Sequence, residues 1–250
     1  MVILKTDAEI EIMREVGLLA AQTLEMISPH IKPGVTTAEL NDLCHDFTIE
    51  NGAIPAPLNY HGFPKSICTS INSVVCHGIP SKKQKLKDGD IINVDVTPIL
   101  NGFHGDTSKT FFVGKVSDPA RKLVETTKEC LDLAISIVRP GARLGDIGAI
   151  IQEHAEKNGY SVVRDFVGHG IGRGFHEAPQ VQHFGTKGRG IRLEKGMVFT
   201  IEPMINMGKP KTIVKSDGWT AVTADNSLSA QFEHTIAIKS SGETVILTAL

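Results

Sequence analysis

Residues 91–114, IINVDVTPILNGFHGDTSKTFFVG, decide how this chain folds. β-Branched residues dominate 91–99, Asn101-Gly102 is a two-residue hairpin signal, and 110–113 resumes the strand pattern. With the turn centred near Leu100 and Asn101, Asp95 and Asp106 fall within a residue or two of facing each other. Directly opposed Cβ atoms lie about 5 Å apart. Two carboxylates that close repel, so the pair either splays toward water or is held together by a bound cation.

Around this stretch the chain has 250 residues, 41% of them apolar, enough to bury one large core or two smaller ones. No glycine- or serine-rich linker interrupts it, and 1–250 reads as one domain. Lysine and arginine (26) nearly balance aspartate and glutamate (28). The net charge of −2 therefore gives no reason to expect a nucleic-acid or membrane-surface partner. Cys44, Cys68, Cys76 and Cys130 form no CxxC pair, and the start of the chain shows no signal-sequence pattern; a cytoplasmic location is expected. No apolar run approaches the roughly 18 residues of a membrane span.

Helix signals come in pairs. Thr6 with Glu9 and Thr36 with Glu39 are capping boxes that open two helices, the first ending before Pro29 and the second stopped by Asn51-Gly52. Asp118-Pro119 opens a third helix, which ends before Arg139-Pro140-Gly141, and a fourth stops at Asn158-Gly159. Pro33 and Pro140, Asn51 and Asn158, Gly89 and Gly196, and Asp95 and Glu202 are each 107 residues apart. A constant offset over that length points to a duplicated helix-helix-sheet unit, about 1–114 and 115–250, packed about a pseudo-two-fold axis. The second copy is stretched, with 31 residues between Glu202 and Glu233 against 11 between Asp95 and Asp106. Gly218 and Trp219 fall in that excess and are expected in a loop over the site.

Residues 199–205 and 232–238 are strand-like, and Glu202 and Glu233 interrupt their apolar character as Asp95 does in 93–96. Taken singly, each is a candidate for a structural salt bridge. Four at repeat-related positions favour a metal. GHGIGRGFH at 168–176 adds His169 and His176 on a glycine-rich loop that lets imidazole approach a site closely. It is not a phosphate loop, since neither GxGxxG nor GxxxxGK[ST] is satisfied, and His176-Glu177 lacks the second histidine of HExxH. His77 follows Cys76 ahead of the hairpin. The other histidines read as structural, although His61 beside Tyr60 is expected at the cleft.

DVT with GFHGDTSKTFFVG, GHGIG with FHEAP, MVFTIEP, SAQFEHT, and upstream NYHGFPKSICTSIN and VVCHGIP resemble the type I methionine aminopeptidases of the bacterial kind. The resemblance covers essentially the whole chain. It implies an α+β pita-bread fold, two pseudo-symmetric helix-helix-sheet halves around a central antiparallel sheet. It also implies Asp95, Asp106, His169, Glu202 and Glu233 as ligands of two divalent metal ions, with Asp106 and Glu233 bridging. His77 and His176 match the histidines that contact substrate. Tyr60, Phe63, Cys68, Phe175 and Trp219 match the pocket for a methionine side chain, and Asn72, Val74 and Ser229 resemble a monovalent-cation site. Pro57 and Phe63 stand where some bacterial relatives have cysteine and tyrosine.

The activity implied by the resemblance is removal of the initiator methionine from nascent proteins when the second residue is small. A hydroxide activated by two metals would attack the first peptide bond, with Glu202 as proton shuttle and His77 and His176 bonding the substrate. A mostly oxygen shell with one imidazole suits Mn, Fe, Co or Zn. The ribosome is a candidate partner, and a monomer is expected by resemblance. Prolidases and aminopeptidase P share the ligand pattern but resemble chains with a large extra N-terminal domain, and type II enzymes carry a long insertion before the last glutamate. A non-catalytic binding protein on this fold would be marked by loss of ligands; all five are present. A structural metal site would more often close its shell with Cys and His.

Overall fold

The computed structural model describes residues 1–250, and both expected capping boxes form. Thr6 accepts from the amide of Glu9 (3.2 Å) while the Glu9 carboxylate accepts from the amide of Thr6 (3.0 Å), opening α1, Asp7–Ile27. Thr36 and Glu39 repeat the arrangement at α2, Thr37–Glu50. The chain does not simply stop before Pro29: it tightens into a 3₁₀ turn, Ser28–His30, where proline at an early position costs no hydrogen bond. α3, Asp118–Ser136, is capped by Ser117, and α4, Leu144–Lys157, by the Asp146 carboxylate, which accepts from the amide of Arg143 (2.8 Å).

All strand pairings are antiparallel. In the first half, strand Ile91–Val96 lies between Cys68–Ile71 and Thr107–Phe112. In the second, Val198–Ile201 lies between Gly168–Gly170 and His234–Ile238. The halves meet where Glu233 N–H donates to Ser108 O (3.0 Å) and Asn93 Nδ2 donates to Gln231 O (2.9 Å). α1 and α2 bury Leu24, Ile27 and Leu40 against Ile92 and Val94. α3 and α4 bury Leu123, Leu131, Ile147 and Ile151 against Phe199 and Ile236. Each such side chain contributes about 1.5–3 kcal/mol.

The offset of 107 reappears in the backbone bonds. Gly34 N–H donates to Leu86 O (2.8 Å) and Gly141 N–H to Leu193 O (2.9 Å); Thr36 faces Lys85 and Arg143 faces Arg192. Val113 N–H donates to Asp90 O and Ile238 N–H to Met197 O. Carried down those two strands, this register sets Glu233 in the place of Ser108, and Gln231, not Glu233, in the place of Asp106. Glu233 and Asp106 are therefore not equivalent positions, and the separations of 31 and 11 residues span unlike stretches.

The predicted strands 91–99, 199–205 and 232–238 are each interrupted, the last two at Glu202 and Glu233. Strand 91–96 ends before Thr97, and a separate hairpin, Pro98–Leu100 with Phe103–His104, turns through Asn101 and Gly102, both at positive φ (53° and 77°). Residues 199–205 divide around Glu202-Pro203, and 232–238 begins as strand only at His234. Asp106, Glu202 and Glu233 thus occupy strand ends, which frees their side chains from strict up-down alternation so that they can converge. The excess length of the second half forms a hairpin, Thr212–Val214 with Ala221–Thr223, that pairs with Val74–Cys76 of the first half and has Trp219 near its tip.

Candidate metal centre and its cavity

A cavity of about 290 Å³ opens where the two halves meet, and Asp95, Asp106, His169, Glu202 and Glu233 all line it. Strand Gly168–Gly170 delivers His169. A side chain at Gly170 would stand 2.2 Å from Ala178 O, so only glycine permits this approach. His169 is held through its backbone and its ring: its amide donates to Thr200 Oγ1 (3.0 Å), and its Nδ1–H donates to Gly170 O (3.0 Å). Nε2 is left facing Asp106 Oδ2 at 3.5 Å and Glu202 Oε1 at 3.7 Å. Ligand atoms of Asp106, His169 and Glu233 lie within 4.8 Å of one another.

Two of the four acids are also aimed. Asp106 Oδ1 accepts from Thr97 Oγ1 (2.7 Å); Glu202 accepts from Thr200 Oγ1 (2.7 Å) and Gln231 Nε2 (3.4 Å), while its amide donates to His183 Nε2 (3.2 Å). Sequence reasoning missed Thr97, Thr200 and Gln231. Each lies two residues from an acid, and the two-residue strand period that puts neighbours on one face was the available signal.

Electrostatics decide between salt bridge and metal. No lysine or arginine pairs with any of the four carboxylates. Burial pushes Asp95 and Glu233 well above the usual carboxylate range, and neighbouring acids add to it. Burial also raises Glu202 to about 7, against the pull of His169. Burial opposes charge on His169 as well, but its bond to Asp106 and the charges of Glu202 and Asp106 lift it to about 9. One imidazolium cannot balance four carboxylates. The donor set, oxygen-rich with one free Nε2, fits divalent cations.

The cavity walls carry the remaining expected residues. Tyr60, Phe63, Cys68, His77, Phe175, His176 and Trp219 all line it. Phe63 and Trp219 meet edge to face at 5.2 Å, and His77 stands 6.2 Å from Trp219. His176 stacks on Phe175 (4.4 Å) and lies 4.2 Å from His169. Burial lowers His77, and burial with the charge of His169 lowers His176 to about 4, so both are neutral near pH 7. Phe166, Met204 and Cys76 complete the apolar wall and were missed; of the three only Cys76 stood in a motif, VVCHGIP, where His77 drew the reading. His61 is exposed and outside the lining, contrary to expectation: its ring packs edge to face on Tyr60 (4.4 Å), and Tyr60 is the residue that lines the cavity. Asn72 and Ser229 are joined by a Ser229 N–H bond to Asn72 O (2.8 Å), and the buried Ser229 Oγ has no partner. With Val74 they lie outside the cavity lining.

Residues 11–240 match the sequence pattern of metallopeptidase family M24. The chain is 60% identical to methionine aminopeptidase A of Synechocystis over 238 residues, covering 95% of this chain and 94% of that one. It is 55% identical to the methionine aminopeptidase of Escherichia coli K12, over 96% and 91% of the two chains. The crystal structure of methionine aminopeptidase from Rickettsia prowazekii superimposes with a TM-score of 0.97 at 55% identity, each chain fully covered. A prolidase from Pyrococcus furiosus shares the fold at 22% identity (TM-score 0.78, 99% of this chain and 66% of that one).

Proposed function

The chain belongs to metallopeptidase family M24 and has its pita-bread fold, and from that we infer that it is an aminopeptidase that removes N-terminal methionine by metal-dependent hydrolysis. The observation that carries this reading is the set of four carboxylates and one imidazole without a lysine or arginine partner, Asp106, Glu233 and His169 buried and Asp95 and Glu202 partly so, in an aromatic-walled cavity. Asp95, Asp106, His169, Glu202 and Glu233 would hold two divalent ions; manganese, iron, cobalt and zinc all suit the donors. Bound there, the ions supply charge neutralisation, an anchor for the free amine, and a water acidified toward neutral pH.

The protein's own groups supply the rest. Glu202, raised to about 7, is suited to take a proton from the attacking water and pass it to the leaving amine. His176 is neutral and donates toward the scissile carbonyl oxygen as charge develops there; removing one such donor costs about 3 kcal/mol of transition-state stabilisation. His77 bonds the adjacent amide. Phe63, Phe175 and Trp219 with Tyr60 and the un-ionised Cys68 form an apolar slot suited to a thioether.

Residues of about 1–114 and 115–250 are duplicated halves of a single domain, supported by the backbone bonds that recur at 107. A monovalent ion at Asn72, Val74 and Ser229 would satisfy the orphaned Ser229 hydroxyl. The substrates are nascent proteins with a small second residue, met in the cytoplasm by a monomer, with the ribosome as docking partner. No helix is long and apolar enough to cross a membrane. Free methionine from Met-Ala-Ser, with none from Leu-Ala-Ser or Met-Lys-Ser, is the expected result with metal-loaded protein. Equal release from all three peptides would contradict the proposed specificity, and no release from any would contradict the activity.

A further inference from the structure

His176 has two ring nitrogens, and the chemistry assigned to it needs a proton on one of them. Its Nδ1 lies 2.8 Å from the hydroxyl of Tyr60, and neither group makes another hydrogen bond. The ring plane is fixed by its stack on Phe175 (4.4 Å) and its tilted contact with Tyr60 (5.3 Å). Nε2 is therefore the only ring nitrogen free to meet a ligand in the cavity that His176 lines. Tyr60 is itself held from both sides. It starts a tight turn between Asn59 (φ 67°) and His61 (φ 46°), its amide donates to Pro57 O (3.0 Å), and Asn59 N–H closes the loop onto Phe63 O (2.8 Å).

The direction of the Tyr60–His176 bond sets the tautomer. A phenol is a good donor but a poor acceptor, because its oxygen lone pair is drawn into the ring, whereas an unprotonated imidazole nitrogen is a strong acceptor. Tyr60 O–H donating to Nδ1 places the imidazole proton on Nε2. Reversed, Nε2 would present a lone pair to an oxygen gaining negative charge and would repel it.

We propose that Tyr60 is a positioning residue, whose hydroxyl holds His176 in the Nε2–H tautomer so that it can donate to the substrate's carbonyl oxygen. This goes beyond a role as pocket wall and rests on the aminopeptidase reading above. The two roles separate in Tyr60→Phe, which keeps the aromatic wall and deletes only the hydroxyl. With metal-loaded enzyme and Met-Ala-Ser, kcat falls about tenfold, the worth of one hydrogen bond felt in the transition state, while KM stays within about twofold. In a His176→Ala background, Tyr60→Phe has no further effect, because the hydroxyl acts only through that ring.

A second readout needs neither metal nor turnover. In ¹⁵N spectra of the metal-free protein, His176 Nδ1 of the wild type resonates as an unprotonated acceptor and Nε2 as a protonated nitrogen. Tyr60→Phe converts this to a mixture of tautomers. An unchanged kcat in Tyr60→Phe, an equal effect in the His176→Ala background, or a protonated Nδ1 in the wild type would each overturn the proposal. Wild-type protein that releases no methionine would count against the aminopeptidase reading instead, and the spectra would still decide the tautomer.

Discussion

Asp95 and Glu233 show what four crowded carboxylates cost without a cation. Their folded-state pKa values are raised by burial and then by neighbouring acids, so the metal-free fold holds protons there that the unfolded chain gives up. That contribution to stability is complete below the unfolded pKa, about 4, and is lost as pH rises toward the raised folded values. Asp95→Asn removes the penalty. The variant should melt higher than wild type at pH 8 when both are metal-free, and the difference should vanish near pH 4. A wild type that melts higher at pH 8 would mean the carboxylates do not repel. The five residues that converge on the cavity were legible because each acid or histidine stood in a distinctive local run. Thr97, Thr200 and Gln231, which aim Asp106 and Glu202, were not: the two-residue strand period puts each on the face of a neighbouring acid, but only the sheet shows which acid it bonds.

At the scale of elements, helices were read almost to the residue and strands were not. Capping boxes are local, so Thr6/Glu9 and Thr36/Glu39 determined where α1 and α2 begin. Strand ends at Val96 and Ile201 depend on pairing partners far along the chain and on the need to release Asp106, Glu202 and Glu233 into one cavity. The loop bearing Phe175 and His176 is tied down by a buried ion pair between Lys5 and Glu177, and Glu177 also accepts from the amide of Gly174 (2.9 Å). Lys5→Met strands that carboxylate and should cost about 3–5 kcal/mol in chemical denaturation; a loss under about 1 kcal/mol would show that the pair does not anchor the loop. The hairpin 212–223 carries Trp219 to the cavity, a crossing that no repeat predicted, because its partner strand Val74–Cys76 belongs to the other half. Trp219→Ala should lower the preference for Met-Ala-Ser over Leu-Ala-Ser, measured as a ratio of kcat/KM, by about tenfold, in the range of about 1–3 kcal/mol for an apolar pocket contact. An unaltered ratio would remove Trp219 from the pocket.

Over the whole molecule, the repeat seen at Pro33/Pro140 and Gly89/Gly196 foretold two helix-backed antiparallel sheets meeting at acidic strands. The direction in which the excess length of the second half folds could not be counted from spacing, since Glu233 takes the place of Ser108. If the two halves are clamped at their junction by divalent ions, metal should stabilise the entire fold. At a hundredfold excess over Kd the gain is about 2.7 kcal/mol, or about 5–10 °C in Tm for a domain of this size. The most direct measurement is methionine release from Met-Ala-Ser as manganese, iron or cobalt is titrated into metal-stripped protein, for wild type and for Asp106→Ala with its fold verified by circular dichroism. Release should be absent without metal, rise to saturation in the wild type, and stay absent in Asp106→Ala. Full-rate release from metal-free protein, or an Asp106→Ala variant as active as wild type, would contradict a metal centre at these residues.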